Sequence, residues 1–217
     1  GVNMAGNCIS DDEVVCRASK DEIIRRYFST MCDSRRGRGS SAAVEKLELI
    51  MQTAGVTVDE RPVVGAALDK SKSVADPNHP EAVAIELPDG RVITGKTSGL
   101  MGASCAALLN SLKTLANIRD NVDLISPMVL APIQHLKVEH LGNTNPRLHT
   151  DEVLIALSMS AVTNPTAELA MEALSSLRGG EVHSSVILSD VDVNVFKKLG
   201  MNLTCEPHYQ TKKLYHK

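Results

Sequence analysis

The polar residues best suited to chemistry are grouped in one loop, at positions 145–151. Asn145, Arg147, His149 and Asp151 occupy alternate positions there, and an extended backbone directs alternate side chains to one side. Arg147 offers a planar fork for an anion, and His149, with Asp151, could transfer protons. The loop is therefore predicted to be a binding edge. In the alternative interpretation, its side chains only cap helices and satisfy buried backbone groups.

A second candidate segment precedes a predicted helix over residues 100–116. Lys96, Thr97 and Ser98 lead into this helix, with Ser98 as its expected N-cap. Helix N-termini attract anions, so these three residues are candidate substrate-binding residues. In the alternative, Ser98 only caps the helix and Lys96 is solvated. Residues 90–97 also match G-x-x-x-x-G-K-[ST], but the middle four residues are strand formers that complete a hairpin, so no P-loop is predicted.

The histidines and cysteines indicate which residues could transfer protons and whether a metal site is expected. Sites in layered α/β folds lie at loops beyond strand ends, where His183 could converge with the two segments above. Arg147 and Lys96 would then neutralise an anionic substrate, and His149 or His183 would transfer protons. The five cysteines are scattered, and no H-E-x-x-H pattern occurs, so no metal site is predicted. A zinc hydrolase that uses His149, Asp151 and His183 is a further alternative.

Hydrophobic periodicity predicts the elements that position these residues. A helix should begin at Thr150 as N-cap, and its apolar residues surround the axis, so it is expected to be central and enclosed. The other predicted elements are a β-hairpin over 81–87 and 91–94, a strand at 122–126, helices over 129–141 and from Pro165, and a strand, helix and strand over 181–188, 190–199 and 201–205.

The N-terminal part of the chain predicts a helical hairpin. Residues 1–18 give no clear period and are expected to be a tether, and Ser19 with Glu22 forms a capping-box pattern before the first helix. A basic loop at 35–41 separates this helix from a second one. We therefore expect two domains, a helical arm over 1–60 and an α/β domain over 61–217. The latter is expected to be a layered mixed sheet with flanking helices, with a loop at 76–80.

Composition limits the classes of partner. The chain has 217 residues, 43% of them hydrophobic and 2% aromatic, and a formal charge of −3. This charge argues against nucleic acid as a partner, and the absence of a long apolar run argues against a membrane span. Scattered cysteines without a pairing pattern indicate reduced thiols and a cytoplasmic location.

The residues also support a resemblance to a known family. The segments 145–158, 163–165, 21–27, 87–90, 94–98, 183–189, 202–207 and 210–217 resemble the bacterial domain-of-unknown-function family numbered eighteen forty-six. The resemblance extends over essentially the whole chain and implies the C-terminal portion of a protein more than twice as long. The absent N-terminal portion is implied to be nucleotide-binding, and the family is sometimes labelled an ATP-dependent zinc protease.

Two functions follow as expectations. The first is the C-terminal domain of a cytoplasmic, nucleotide-linked enzyme that binds a small anionic or phosphorylated substrate. The second is a non-catalytic interaction or oligomerisation domain that supports the absent N-terminal portion. In this case the chain could form homo-oligomers. The sequence names no cofactor and no reaction.

Overall fold

The fold is taken from a computed structural model that describes residues 11–74 and 80–209. The chain divides into two compact units, Gly1–Arg61 and Pro62–Lys217. Each unit has its own secondary structure, and the polar loop at 145–151 belongs to the second.

The first unit is built from two helices that pack against each other, α1 (Asp12–Arg35) and α2 (Ser41–Ala54). Asp11 is the N-cap of α1 and accepts a hydrogen bond from the amide of Val14, which satisfies one of the free N–H groups of the first turn. The predicted tether is therefore wrong for residues 12–18, and residues 1–10 lie outside the described part. Ser19 lies inside α1, where its hydroxyl donates to the carbonyl of Val15, so it is not an N-cap.

The second unit is an α/β domain. Its elements in chain order are α3 (Pro62–Lys72), β1 (Ala82–Glu86), β2 (Val92–Lys96), α4 (Ala103–Leu115), α5 (Pro127–His135) with a π-helical turn (Leu136–His140), α6 (Thr150–Ala161), α7 (Pro165–Glu172) with a 3₁₀ turn (Ala173–Leu177), β3 (Glu181–Ser184), α8 (Asp190–Lys198) and β4 (Asn202–Cys205). The predicted loop at 76–80 falls, except for Pro80, outside the described residues.

The four strands form one mixed sheet in the order β2-β1-β3-β4. β1 is antiparallel to both β2 and β3, and β3 is parallel to β4, with α8 as the connection. The predicted mixed sheet, the hairpin and the parallel strand–helix–strand unit are therefore confirmed. β3 ends at Ser184, four residues earlier than predicted.

Alternation along the strands decides which side chains face which helices. Val83 and Ile85 lie in the main core with residues of α4, whereas Ala84 packs with Val63 and Ala67 of α3 on the other face. The sheet is thus covered by α3 on one face and by α4 on the other. None of the helices among the described residues combines the length and hydropathy needed to span a bilayer.

Gly95 marks the place where α4 crosses the sheet most closely. A Cβ atom added to Gly95 would lie 2.6 Å from the carbonyl carbon of Ala106 and closer still to the amide nitrogen of Ala107. Only glycine allows this approach of helix backbone to strand. The glycines of the P-loop-like pattern therefore serve the hairpin and its packing.

Two predicted elements differ from the structure. The strand expected at 122–126 is irregular, although Leu124 and Ile125 are both buried. The helix expected from residue 100 begins at Ala103 with Gly102 as its N-cap. Ser98 instead accepts hydrogen bonds from the amides of Leu100 and Met101 in the preceding turn.

The helix α6 is not enclosed, so that prediction is wrong. Val153, Ala156 and Leu157 are buried, but Ile155 is 61% and Met159 65% exposed. His149, not Thr150, is its N-cap. An all-apolar pattern predicts a helix that is covered on every side, yet the described part of the chain covers only one side of this helix.

Candidate functional site

A small cavity in the second unit is lined by four of the eight candidate residues. Its volume is about 30 Å³, which gives room for roughly two water-sized groups. It is lined by Glu81, Thr97, Gly102, Ala103, Ser104, Asn145, Arg147, Leu148, His149, Val186, Leu188 and Asp192. The cavity therefore fits a small head group and not a whole nucleotide.

The two candidate segments of the sequence are direct neighbours in the structure. The amide of Leu148 donates to the carbonyl of Leu100 at 3.1 Å, and the amide of Gly102 donates to the carbonyl of Leu148 at 3.3 Å. The guanidinium Nε of Arg147 donates to the carbonyl of Ser98 at 2.9 Å. The polar loop thus lies alongside the entry to α4, although the two segments are far apart in the sequence.

The cavity contains some of the candidate residues and not others. Thr97, Asn145, Arg147 and His149 line it. Lys96 is exposed and lies outside the lining, because neighbouring residues at the end of β2 point to opposite faces. Ser98 and Asp151 also lie outside it: Ser98 caps its own turn, and Asp151 is exposed, with its carboxylate accepting from the amide of Glu152.

The structure does not bring His183 to this cavity. In the register of β1 and β3, His183 pairs with Ala84, the residue that packs with α3. Its ring is buried, with Nδ1 at 2.8 Å from the hydroxyl of Thr204 and Nε2 at 3.2 Å from the carboxylate of Glu206. His183 therefore lies on the face of the sheet away from α4, and its ring nitrogens are engaged by protein groups.

Asp192, at the start of α8, is the acidic partner of His149. One carboxylate oxygen accepts from the amide and the hydroxyl of Thr150, at 3.0 and 2.9 Å. The other accepts from the hydroxyl of Ser189 at 2.8 Å and lies 3.3 Å from Nδ1 of His149. Burial raises the pKa of Asp192, but the interactions with His149, Thr150 and Ser189 outweigh burial and hold that pKa below its usual value.

This pKa shift predicts a pH dependence of stability. The carboxylate of Asp192 has a lower pKa in the folded than in the unfolded chain, so its stabilising contribution is complete above about pH 4. The contribution is lost as the pH falls through the lower folded-state pKa. In urea unfolding between about pH 4 and pH 2, Asp192→Asn should therefore flatten the acid loss of unfolding free energy. An unchanged slope would contradict this assignment.

A buried ion pair braces the loop that carries Arg147 and His149. The Nζ of Lys137 donates to the carboxylate of Glu152 at 2.7 Å and to the carbonyl of Arg147 at 2.8 Å, and only 4% of its side chain is exposed. The same oxygen of Glu152 accepts from the amide of His149 at 2.8 Å. Lys137 lies in the π-helical turn, a feature often found near functional sites. These contacts fix the loop backbone.

The N-terminus of α4 forms another wall of the cavity. Its N-cap, Gly102, has no side chain to cap the helix, and among the described residues the amides of Ala103, Ser104 and Cys105 have no hydrogen-bond acceptor. Thr97 is only 8% exposed, and its buried hydroxyl has no partner among residues 11–74 and 80–209. Unpaired donors here favour an acceptor ligand.

Cys105 is a structural residue at the back of this wall. Its thiol donates to the carbonyl of Leu148 at 3.2 Å. Burial raises the pKa of the thiol well above its usual value, so the thiolate needed for nucleophilic attack is disfavoured.

The geometry also bears on the zinc alternative. Within residues 11–74 and 80–209, no group of three or more His, Cys, Asp or Glu side chains is arranged to hold a metal ion. The trio of His149, Asp151 and His183 does not assemble there. The described residues therefore provide no ligand set for a zinc hydrolase.

Sequence reasoning missed Asp192, Ser189, Lys137 and Glu152. Ser189 and Asp192 have the spacing of a helix cap, and Ser189 does cap α8. That signal could identify the start of α8 but not the contact with His149, which lies far away in the sequence. Nothing in the sequence indicates that Lys137 is buried, because the residue type alone does not separate a buried lysine from a solvated one.

Comparisons with known proteins identify the family. Residues 59–215 match the family described as "Domain of unknown function DUF1846, C-terminal", and residues 1–55 match its N-terminal counterpart. The chain is 49% identical over its full length to a UPF0371 protein of Streptococcus pneumoniae strain CGSP14 and to the UPF0371 protein str1377 of Streptococcus thermophilus strain CNRZ 1066. It spans 43% of the length of each of these relatives. The chain therefore belongs to the DUF1846 family, together with UPF0371 proteins that carry further sequence beyond the matched region.

Proposed function

We propose that this chain is the C-terminal domain of an enzyme and that it binds a small anionic or phosphorylated substrate in the cavity beside His149. The nucleotide-linked part of the reaction is assigned to the N-terminal portion of the longer protein, as the family resemblance implies. The observation that carries the proposal is the buried, unpartnered hydroxyl of Thr97 beside the uncapped N-terminus of α4, within the described residues.

The electrostatics of the α4 N-terminus favour a negative group. The helix macrodipole places roughly half a positive charge at this end, and the amides of residues 103–105 lack acceptors among the described residues. Ser104, buried at the second position of α4, lines the same wall. An anion would thus accept hydrogen bonds from backbone amides and from the hydroxyl of Thr97.

Arg147 supplies the full positive charge. In the described part of the chain, Nε is the only one of its guanidinium nitrogens with a hydrogen-bond acceptor, the carbonyl of Ser98. The two terminal nitrogens of the guanidinium are thus left for a carboxylate or phosphate, and the Nε contact orients the fork in advance. The brace of Lys137 and Glu152 holds the backbone from which this side chain extends.

A second function, protein interaction, is favoured by the exposed side of α6. Ile155, Met159 and Val162 recur at helical spacing and are all more than half exposed, so they form an apolar stripe on a part of the surface that could be covered by another protein. The absent N-terminal portion or a second copy of the chain would be the partner. This function is compatible with substrate binding, because none of these three residues lines the cavity.

Calorimetric titration with inorganic phosphate, at fixed ionic strength, tests substrate binding. We expect saturable binding that Thr97→Val and Arg147→Lys each weaken by about ten-fold, because each removes a hydrogen bond to the anion. Lys96→Gln is the matched control. It removes an exposed positive charge outside the cavity lining and should leave the affinity within about two-fold.

Two results would contradict the proposal. One is the absence of saturable phosphate binding by the unmodified chain. The other is a loss of affinity that is as large in Lys96→Gln as in Arg147→Lys, since that result would indicate general surface attraction. Equal unfolding midpoints for the variants would show that the comparison is made on folded protein.

A further inference from the structure

We propose that Asp192 holds His149 with its ring proton on Nδ1, so that the unprotonated Nε2 faces the cavity and accepts a proton from the bound ligand. This inference rests on the proposed function, because it requires a ligand in the cavity. It specifies the ligand as a small anion that also carries a proton-bearing group, such as a hydroxyl, next to its anionic group.

The partners of Nδ1 decide where the proton lies. Nδ1 is 3.3 Å from a carboxylate oxygen of Asp192 and 3.3 Å from the hydroxyl oxygen of Ser189. The hydroxyl proton of Ser189 is directed to Asp192, at 2.8 Å, so both neighbours present lone pairs to the ring. A proton on Nδ1 satisfies both contacts, whereas a lone pair there would be repelled by both.

The remaining ring nitrogen, Nε2, is left for a ligand. His149 lines the cavity, and 28% of its side chain is exposed. Among the residues that the structure describes, Nε2 has no hydrogen-bond partner. With Nδ1 protonated, Nε2 carries a lone pair and can act as a general base.

Asp192 is a positioning residue, because it acts through His149. Its carboxylate accepts from two groups of Thr150, from Ser189 and from His149. These donors lie at the N-termini of α6 and α8, so the carboxylate joins two helix starts and has little freedom to rotate. The orientation of the imidazole is therefore fixed before any ligand enters.

The lining of the cavity suits two groups of one ligand. Arg147, Thr97 and the N-terminus of α4 offer donors to an anionic group, whereas the unprotonated Nε2 of His149 offers an acceptor. In the proton-transfer step, the bond from the ligand oxygen to hydrogen breaks and its electron pair stays on the oxygen. The proton forms a bond to Nε2, and the imidazolium is stabilised by the carboxylate of Asp192.

The test is the tautomer of His149, read from nitrogen chemical shifts in protein labelled with ¹⁵N-histidine. The signals of His149 are identified by their loss in His149→Gln. The neutral ring in the unmodified chain should show a protonated Nδ1 and an unprotonated Nε2. This first measurement needs no variant of Asp192 and is independent of whether such variants fold.

Asp192→Asn should reverse the tautomer. Its amide oxygen can keep the contacts to Thr150, which places the amide NH₂ toward Nδ1 and leaves the ring proton on Nε2. Ser189→Ala, the control, removes one contact of Nδ1 but keeps the carboxylate and should leave the tautomer unchanged. A purely structural role for Asp192 would not predict this reversal.

The outcomes separate this inference from the proposed function. An Nε2-protonated ring in the unmodified chain, or the same tautomer in folded Asp192→Asn, would overturn the inference even if phosphate binds. Conversely, the expected tautomers without phosphate binding would contradict the proposed function, and with it the assignment of His149 as a base.

Discussion

Gly95→Ala is expected to destabilise the second unit by about 3 kcal/mol, at the upper end of the range for overpacking. The new methyl group would be placed 2.6 Å from the carbonyl carbon of Ala106. The obstacle is helix backbone, which cannot rotate away as a side chain can. The helix α4 would have to move from β2 and carry its N-terminus, with Ser104, out of the cavity wall. Denaturant unfolding should report the loss of stability, and phosphate titration should report weaker binding.

Gly65→Ala is the matched control for this substitution. Gly65 lies within α3, and a Cβ added there meets nothing within 4 Å. Alanine is the better helix former by about 1 kcal/mol, so this variant should be as stable as the unmodified chain or more so. Equal unfolding midpoints for the Gly95 and Gly65 variants would show that α4 does not approach the strand as closely as described.

Leu157→Ala should cost about 2–5 kcal/mol of unfolding free energy, the range for a truncated core leucine. Leu157 is fully buried in the main core together with residues of α4 and α7. Its loss leaves a cavity below α6, the helix whose N-cap is His149. Denaturant unfolding should show a lower midpoint, with an unchanged dependence of the unfolding free energy on denaturant concentration.

Ile155→Ala, on the exposed side of the same helix, provides the comparison. Because Ile155 is mostly exposed, this substitution should change the unfolding free energy by about 0.5 kcal/mol or less. Leu154→Ala should lie between the two, since Leu154 is only partly buried. If Ile155→Ala cost as much as Leu157→Ala, the exposed side of α6 would in fact be covered, which would favour the interaction function.

Much of the fold could be predicted from local patterns. Alternation at 82–86 and turn residues at 88–90 predicted the hairpin, and the change from strand to helix period predicted β3, α8 and β4. The failures arose where burial comes from tertiary contacts. Leu124 and Ile125 belong to a loop that is buried, which an apolar pattern does not distinguish from a strand. The apolar residues of α6 do not reveal which side of the helix remains exposed.

The site could be predicted only in part, for a related reason. Alternation from Asn145 to His149 has a local cause and could be read from the sequence. The contact of His149 with Asp192 depends on how α6 and α8 pack, and the position of His183 depends on strand register. One residue of shift in β3 would move the His183 side chain to the other face of the sheet.

The central claim, that the cavity beside His149 binds an anion, is tested most directly by backbone amide chemical shifts during titration with inorganic phosphate. We expect the largest saturable shifts at Ala103, Ser104 and Cys105, with accompanying changes at Thr97 and His149. Shifts confined to exposed basic residues, such as those of the loop at 35–38, or no saturable shift at residues 103–105, would contradict it.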